Sequence, residues 1–232
     1  LCFGQTTTLT ATSGTTYTWA PGGQTTTDIT VSPTVTTSYT VTGTDANGCT
    51  NTATASVNVN PLPTITATSA PATICNGQST TLTASGGTSY LWAPGGQTTP
   101  DIIVSPTATT TYTVTGTDAN GCTNTATATV NVNPLPTITA TSSPATICNG
   151  QSTTLTASGG TSYFWAPGGQ TTTDITVSPT ATTSYTVTGT DANGCTNTAT
   201  ATVNVNPLPT ITATSAPATI CNGQSTTLTA SG

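Results

Sequence analysis

The 232-residue chain has no lysine, arginine, histidine or methionine, and six aspartates supply all of its side-chain charge. Each absence excludes a chemistry. Without a cation nothing displaces phosphate counterions, so nucleic acid is excluded as a partner and anionic membrane surfaces are disfavoured. Acid–base catalysis draws mainly on His, Glu, Lys and Asp. Only Asp is available, as at Asp101 and Asp118, and no His or Lys is present to activate the abundant hydroxyls as nucleophiles. The chain reads as a non-enzyme with no cofactor. Asp118 in "DANG" has part of the pattern of a calcium loop, but the further acidic ligands are missing. A turn-stabilising role is the simpler reading of that aspartate. Zinc would need a Cys or His cluster, which this cysteine spacing does not supply. Lysine-based isopeptide cross-links are impossible, and there is no site for trypsin.

What is present is repetition. Cys49, Cys122 and Cys195 recur every 73 residues, and so do Cys2, Cys75, Cys148 and Cys221. A period this long makes each repeat a small domain rather than one coil of a solenoid. The expected domains are 1–60 (lacking its first strand), 61–133, 134–206 and a partial fourth, 207–232. Segments 75–147 and 148–220 differ at five positions, among them Leu91/Phe164 and Ile103/Thr176. The chain opens at Leu1-Cys2 without the "PATI" that precedes the later counterparts, and it stops inside a fourth unit. It is therefore expected to be a window on a longer protein, with any secretion signal outside it.

Threonine accounts for 71 residues. Within the second unit, "TITAT" (64–68), "STTLTAS" (79–85), "SYLWA" (89–93), "DIIVS" (101–105), "TYTVTGTDA" (111–119) and "CTNTATATVNVN" (122–133) all alternate. Alternation of period two, bounded by Gly, Pro and Asn, predicts half-buried strands. On the last segment Ala126, Ala128, Val130 and Val132 share one face, and Thr123, Thr125, Thr127 and Thr129 the other. Asn120-Gly121 predicts a hairpin between the last two strands. "NPLP" separates units, because proline cannot continue a ladder. About seven short strands per repeat predict an all-β chain of tandem immunoglobulin-like β-sandwiches. Trp19, Trp92 and Trp165 are expected as core aromatics on the third strand; the alternative is a sugar-stacking platform.

"ICNGQSTTLTASG", "YLWAPGG" and "ATTTYTVTGTDANGCTNTATATVNV" together resemble the immunoglobulin-like, PKD-related repeats of Bacteroidota cell-surface proteins. Such arrays occur in very large adhesins and gliding-associated proteins exported by type IX secretion. The resemblance spans the chain and implies an extracellular, cell-surface protein without implying a ligand.

Seven regularly spaced cysteines also point to an oxidising, extracellular setting. Three pairings fit the period. Bonds within a repeat would be Cys2–Cys49, Cys75–Cys122 and Cys148–Cys195. A bond across the linker would be Cys49–Cys75. Bonds that skip further, Cys2–Cys122 and Cys75–Cys195, would staple neighbouring repeats. An immunoglobulin-like strand order favours the last set, because it puts Cys75 at one end of a sandwich and Cys122 at the other.

The outer threonines, Thr123, Thr125, Thr127 and Thr129, are either strand formers alone or O-glycan acceptors as well. No N-x-[ST] sequon is present, and no Asp precedes Ser or Thr. A flat ice- or mineral-facing array is disfavoured by the twist of a small sheet. Two functional classes follow: a structural array for a surface filament or fibre, with other copies of the chain as partners, and the spacer of an adhesin whose binding domain lies elsewhere.

Overall fold

The computed structural model describes all residues, 1–232, and contains strands but no helix. The chain falls into two compact units, Leu1–Val132 and Asn133–Gly232.

In the first unit, residues 1–60 form β1 (Thr7–Thr10), β2 (Thr16–Ala20), β3 (Asp28–Val31), β4 (Thr37–Thr44) and β5 (Thr50–Val57). β1 pairs only with β3, while β2, β4 and β5 form a second sheet. The next repeat is complete. Its strands are β6 (Thr66–Ala70), β7 (Thr73–Cys75), β8 (Thr80–Ser85), β9 (Ser89–Ala93), β10 (Asp101–Val104), β11 (Thr110–Thr117) and β12 (Thr123–Asn133). One sheet has the order β6-β8-β10 and the other β7-β12-β11-β9. This is an immunoglobulin-like β-sandwich.

Alternation builds the core. Leu82, Ala84, Ile102 and Val104 face inward from one sheet, and Trp92, Tyr112, Val114, Ala128 and Val130 from the other; all are buried. Burying each Val or Leu contributes about 1.5–3 kcal/mol. The alternate residues of the second sheet face outward, so threonines stand opposite threonines, as in Thr111↔Thr129, Thr113↔Thr127 and Thr115↔Thr125. Such cross-strand pairs add a few tenths of a kcal/mol to about 1 kcal/mol each.

The structure adds a strand that alternation missed. Cys75 ends β7, three residues on the opposite sheet from β8. Three residues are too few for a readable period. Pro71, which has no N–H to extend a ladder, separates β6 from β7, and its carbonyl accepts a 2.6 Å bond from the buried Thr80 hydroxyl. The first strand is also displaced, from the expected 64–68 to Thr66–Ala70.

The segment leading into β6 closes one end of the sandwich. Asn124 Nδ2 donates to the Pro63 carbonyl at 3.0 Å. Ile65 is 8% exposed and packs on Gly116 of β11, where a Cβ would overlap its Cδ1.

The second unit repeats this plan with β13 (Thr139–Ser143), β14 (Thr146–Cys148), β15 (Thr153–Ser158), β16 (Ser162–Ala166), β17 (Asp174–Val177), β18 (Thr183–Thr190) and β19 (Thr196–Asn206). Its sheets are β13-β15-β17 and β14-β19-β18-β16, over a core centred on Trp165, Leu155 and Val187. β14 runs parallel to β19 with Cys148 opposite Asn206. β20 (Thr212–Ala216) and β21 (Thr227–Ser231) then form a two-stranded hairpin that is exposed throughout.

Candidate functional site: a disulfide staple between repeats

Two local turns place the cysteines. In "DANGC", Asp118 Oδ1 accepts the backbone N–H groups of Asn120 and Cys122, each at 2.8 Å. Cys122 O accepts from Asp118 N at 2.9 Å, and Gly121 takes φ +80°, open to glycine without a Cβ penalty. The carboxylate is thus spent on two backbone donors that present Cys122 at the start of β12. Asp45 and Asp191 hold Cys49 and Cys195 in the same way. At Asp45 the Cys49 N–H, and after it the Asn47 N–H, hold the carboxyl below its ordinary value of 3.8.

The second turn was not singled out in the sequence. Gln78 Oε1 accepts from Cys75 N at 3.0 Å, and Cys75 O accepts from Gln78 N at 2.9 Å. Gln5 and Gln151 clasp Cys2 and Cys148 identically. The readable signal was the constant Cys-to-Gln spacing of three. Cys2 is further held by a parallel bridge to Asn60, beyond β5.

Cys2 and Cys122 are joined in a disulfide, with Cα atoms 5.5 Å apart and a sequence separation of 120. The bond spans the Pro61-Leu62-Pro63 linker and ties the end of one repeat to the hairpin turn of the next. Closing so long a loop is worth about 5 kcal/mol in the chain-entropy model. Cys75 and Cys195 are also disulfide-bonded. Cys49, Cys148 and Cys221 are exposed free thiols.

The within-repeat alternatives Cys2–Cys49, Cys75–Cys122 and Cys148–Cys195, and the linker alternative Cys49–Cys75, are therefore not the bonds this fold makes. The reason lies in strand length. β12 is 11 residues long. Cys122 precedes its first residue, and Cys75 ends β7 beside its far end, as Cys148 does against Asn206. At about 3.3 Å per residue the two ends of β12 stand roughly 35 Å apart, whereas a disulfide requires Cα atoms within about 7 Å.

Trp19, Trp92 and Trp165 lie in the cores, at most 2% exposed. Their Nε1–H groups donate to the carbonyls of Thr26, Thr99 and Thr172 at 3.0–3.1 Å. No indole face is open to a sugar. Beside them, Leu91 and Phe164 are about half exposed. Thr123, Thr125, Thr127 and Thr129 stand exposed in a row along β12, with Thr129 Oγ1 2.9 Å from Thr111 Oγ1.

No protein-family model matches the chain, and no curated protein matches it. Several solved structures are similar. A Ca²⁺-stabilised adhesin with which an Antarctic bacterium binds ice is 21% identical, with a TM-score of 0.38, covering 90% of this chain and 71% of that one. A 1.5-MDa bacterial ice-binding adhesin is 17% identical, with a TM-score of 0.30, covering 88% and 92%. The eight N-terminal Ig domains of Down Syndrome Cell Adhesion Molecule are 11% identical, with a TM-score of 0.33, covering 90% and 35%.

Proposed function

We propose that this chain is a structural array from an extracellular filament or fibre of a Bacteroidota cell surface, exported by type IX secretion and without catalytic activity. The observation that carries the reading is the Cys2–Cys122 bond, which joins adjacent repeats rather than closing one. Moved on by one period, the bond expected on the same plan is Cys75–Cys195, and each further repeat would extend the ladder. Stapled joints resist bending and pulling, which is what a load-bearing fibre requires. The lack of Lys and Arg removes every trypsin site, which suits a durable extracellular polymer. The exposed Thr123, Thr125, Thr127 and Thr129 are acceptors for O-glycans that would hydrate an almost uncharged surface.

The test is disulfide mapping of the oxidised chain by mass spectrometry. Cys2–Cys122 and Cys75–Cys195 with three free thiols are expected. Cys75 bonded to Cys122 would make the repeats independent beads and overturn the stapled reading. The same array serves equally as the rigid spacer of a large adhesin. Self-association of the chain favours the fibre, whereas a strictly monomeric rod favours the spacer.

A further inference from the structure

Six Asn-Gly pairs recur along the chain, in two different turns. In this dipeptide the backbone nitrogen after the asparagine reaches the side-chain amide carbon most easily, because glycine puts no Cβ in its path. Asn47, Asn120 and Asn193 stand in the "DANGC" turns, and Asn76, Asn149 and Asn222 in the "CNGQ" turns that clasp a cysteine. Of the second group, Asn76 adjoins a disulfide-bonded cysteine and is followed by a complete repeat. Exposure does not separate it from Asn120, since Asn76, Gly77, Asn120 and Gly121 are all exposed. Glycine conformation does not either, with φ +92° at Gly77 and +80° at Gly121.

Hydrogen bonds do separate them. The Gly121 N–H donates to the Asp118 carbonyl at 3.1 Å, and Gly48 and Gly194 donate to Asp45 and Asp191 in the same way. Asp118 Oδ1 accepts the Asn120 N–H at 2.8 Å, so a carboxylate also stands in the turn and opposes negative charge on the next nitrogen. In the Cys75–Gln78 turn the bonds fall on the two ends. Gln78 N donates to Cys75 O, and Cys75 N to Gln78 Oε1. Between them, neither the Gly77 N–H nor the Asn76 side chain is hydrogen-bonded, and the turn carries no charged side chain. Its central peptide, Asn76–Gly77, can rotate without breaking the bond that closes the turn.

We propose that Asn76 is a site of spontaneous covalent modification, at which the free Gly77 nitrogen closes on the Asn76 side chain while the same reaction at Asn120 is held back by the Asp118 turn. Gly77 N gives its proton to solvent base and attacks Asn76 Cγ. The N–Cγ bond forms, the Cγ–Nδ2 bond breaks, and ammonia leaves with the proton returned to it. Water then adds to either carbonyl of the resulting succinimide ring and opens it to aspartate or isoaspartate. No oxidant or reductant takes part. Each conversion adds a carboxylate to a repeat whose only charges are Asp101 and Asp118. The isoaspartyl form also places an extra main-chain carbon between Cys75 and Gln78, which opens the clasp on a disulfide-bonded cysteine.

The experiment holds the whole oxidised chain in mildly alkaline buffer and samples it over time. Each sample is cut with pepsin in acid, where the cyclisation is arrested, and mapped by mass spectrometry, with isoaspartate counted by enzymatic methylation. Asn76 should convert about tenfold or more faster than Asn120, the effect of breaking one or two hydrogen bonds before attack. In urea under reducing conditions the two rates should converge. Asn76→Phe should abolish the fast product and leave Asn120 unchanged, because Phe3 already occupies this position in the Cys2–Gln5 clasp. An intact Asn76, or equal rates at Asn76 and Asn120 in the folded chain, overturns the proposal. A difference that persists in urea overturns it as well, since neighbouring residues rather than the folded turns would then set the rates.

Discussion

Ile65 covers Gly116 so closely that β11 has no room for a side chain there. The contact joins the entry segment of the repeat to the centre of its second sheet, and Ile138 and Gly189 reproduce it one period later. It also explains why a "TYTVTGT" strand interrupts its own run of β-formers with glycine.

Gly116→Ala should therefore destabilise the second repeat by about 1–3 kcal/mol, the usual effect of overpacking a filled site. Gly43→Ala, in the open first repeat, should change stability by less than about 0.5 kcal/mol. Paired urea melts of the oxidised chain make the comparison. Equal losses at both positions would show that glycine is needed there for backbone reasons instead.

Replacing Cys2 or Cys122 with Ser should cost the first unit about 2–5 kcal/mol and remove its resistance to pulling across the Pro61–Pro63 linker. Cys49→Ser should leave the monomer's melt unchanged, since that thiol is free and exposed. Chemical denaturation before and after reduction separates the two cases.

Trp92→Ala should destabilise by about 3–5 kcal/mol, because it empties the centre of the core and strands the Thr99 carbonyl. Wild-type tryptophan emission should be blue-shifted and unmoved by added oligosaccharides. A saturable change with sugar would put an indole on the surface.

The "DANGC" turn that Asp45 opens should respond to acid. Backbone N–H groups of Cys49 and Asn47 favour the charged form of Asp45 and depress its pKa below 3.8. A depressed carboxylate contributes stability above its unfolded value and loses it as pH falls through the folded one. The Asn47 and Cys49 amide resonances should hold steady above about pH 5 and move below the ordinary value. Asp45→Asn should abolish that titration. Because Asp45 Oδ1 bonds only backbone groups of its own surface turn, global unfolding should not track it.

Much of the repeat was legible in the residues. "SYLWA" is β9 residue for residue, and "DIIVS" and "STTLTAS" differ from β10 and β8 by one residue at an end. Each shows its period over several residues and is bounded by Gly or Pro. The stretch "PATIC" gave no such reading. Its strand is three residues long, and its partner β12 lies some fifty residues further on.

Residue order alone determined the 73-residue period, the strand segments and which side chains of each face inward, because period-two alternation and turn chemistry act between near neighbours. It also removed every cation and left aspartate as the one carboxylic side chain. Only the tertiary structure decided that Cys2 meets Cys122. That meeting depends on where β12 begins and on the bridge that holds Cys2 beside Asn60. That non-local pairing sets distances of tens of ångströms between cysteines which look equivalent in the sequence.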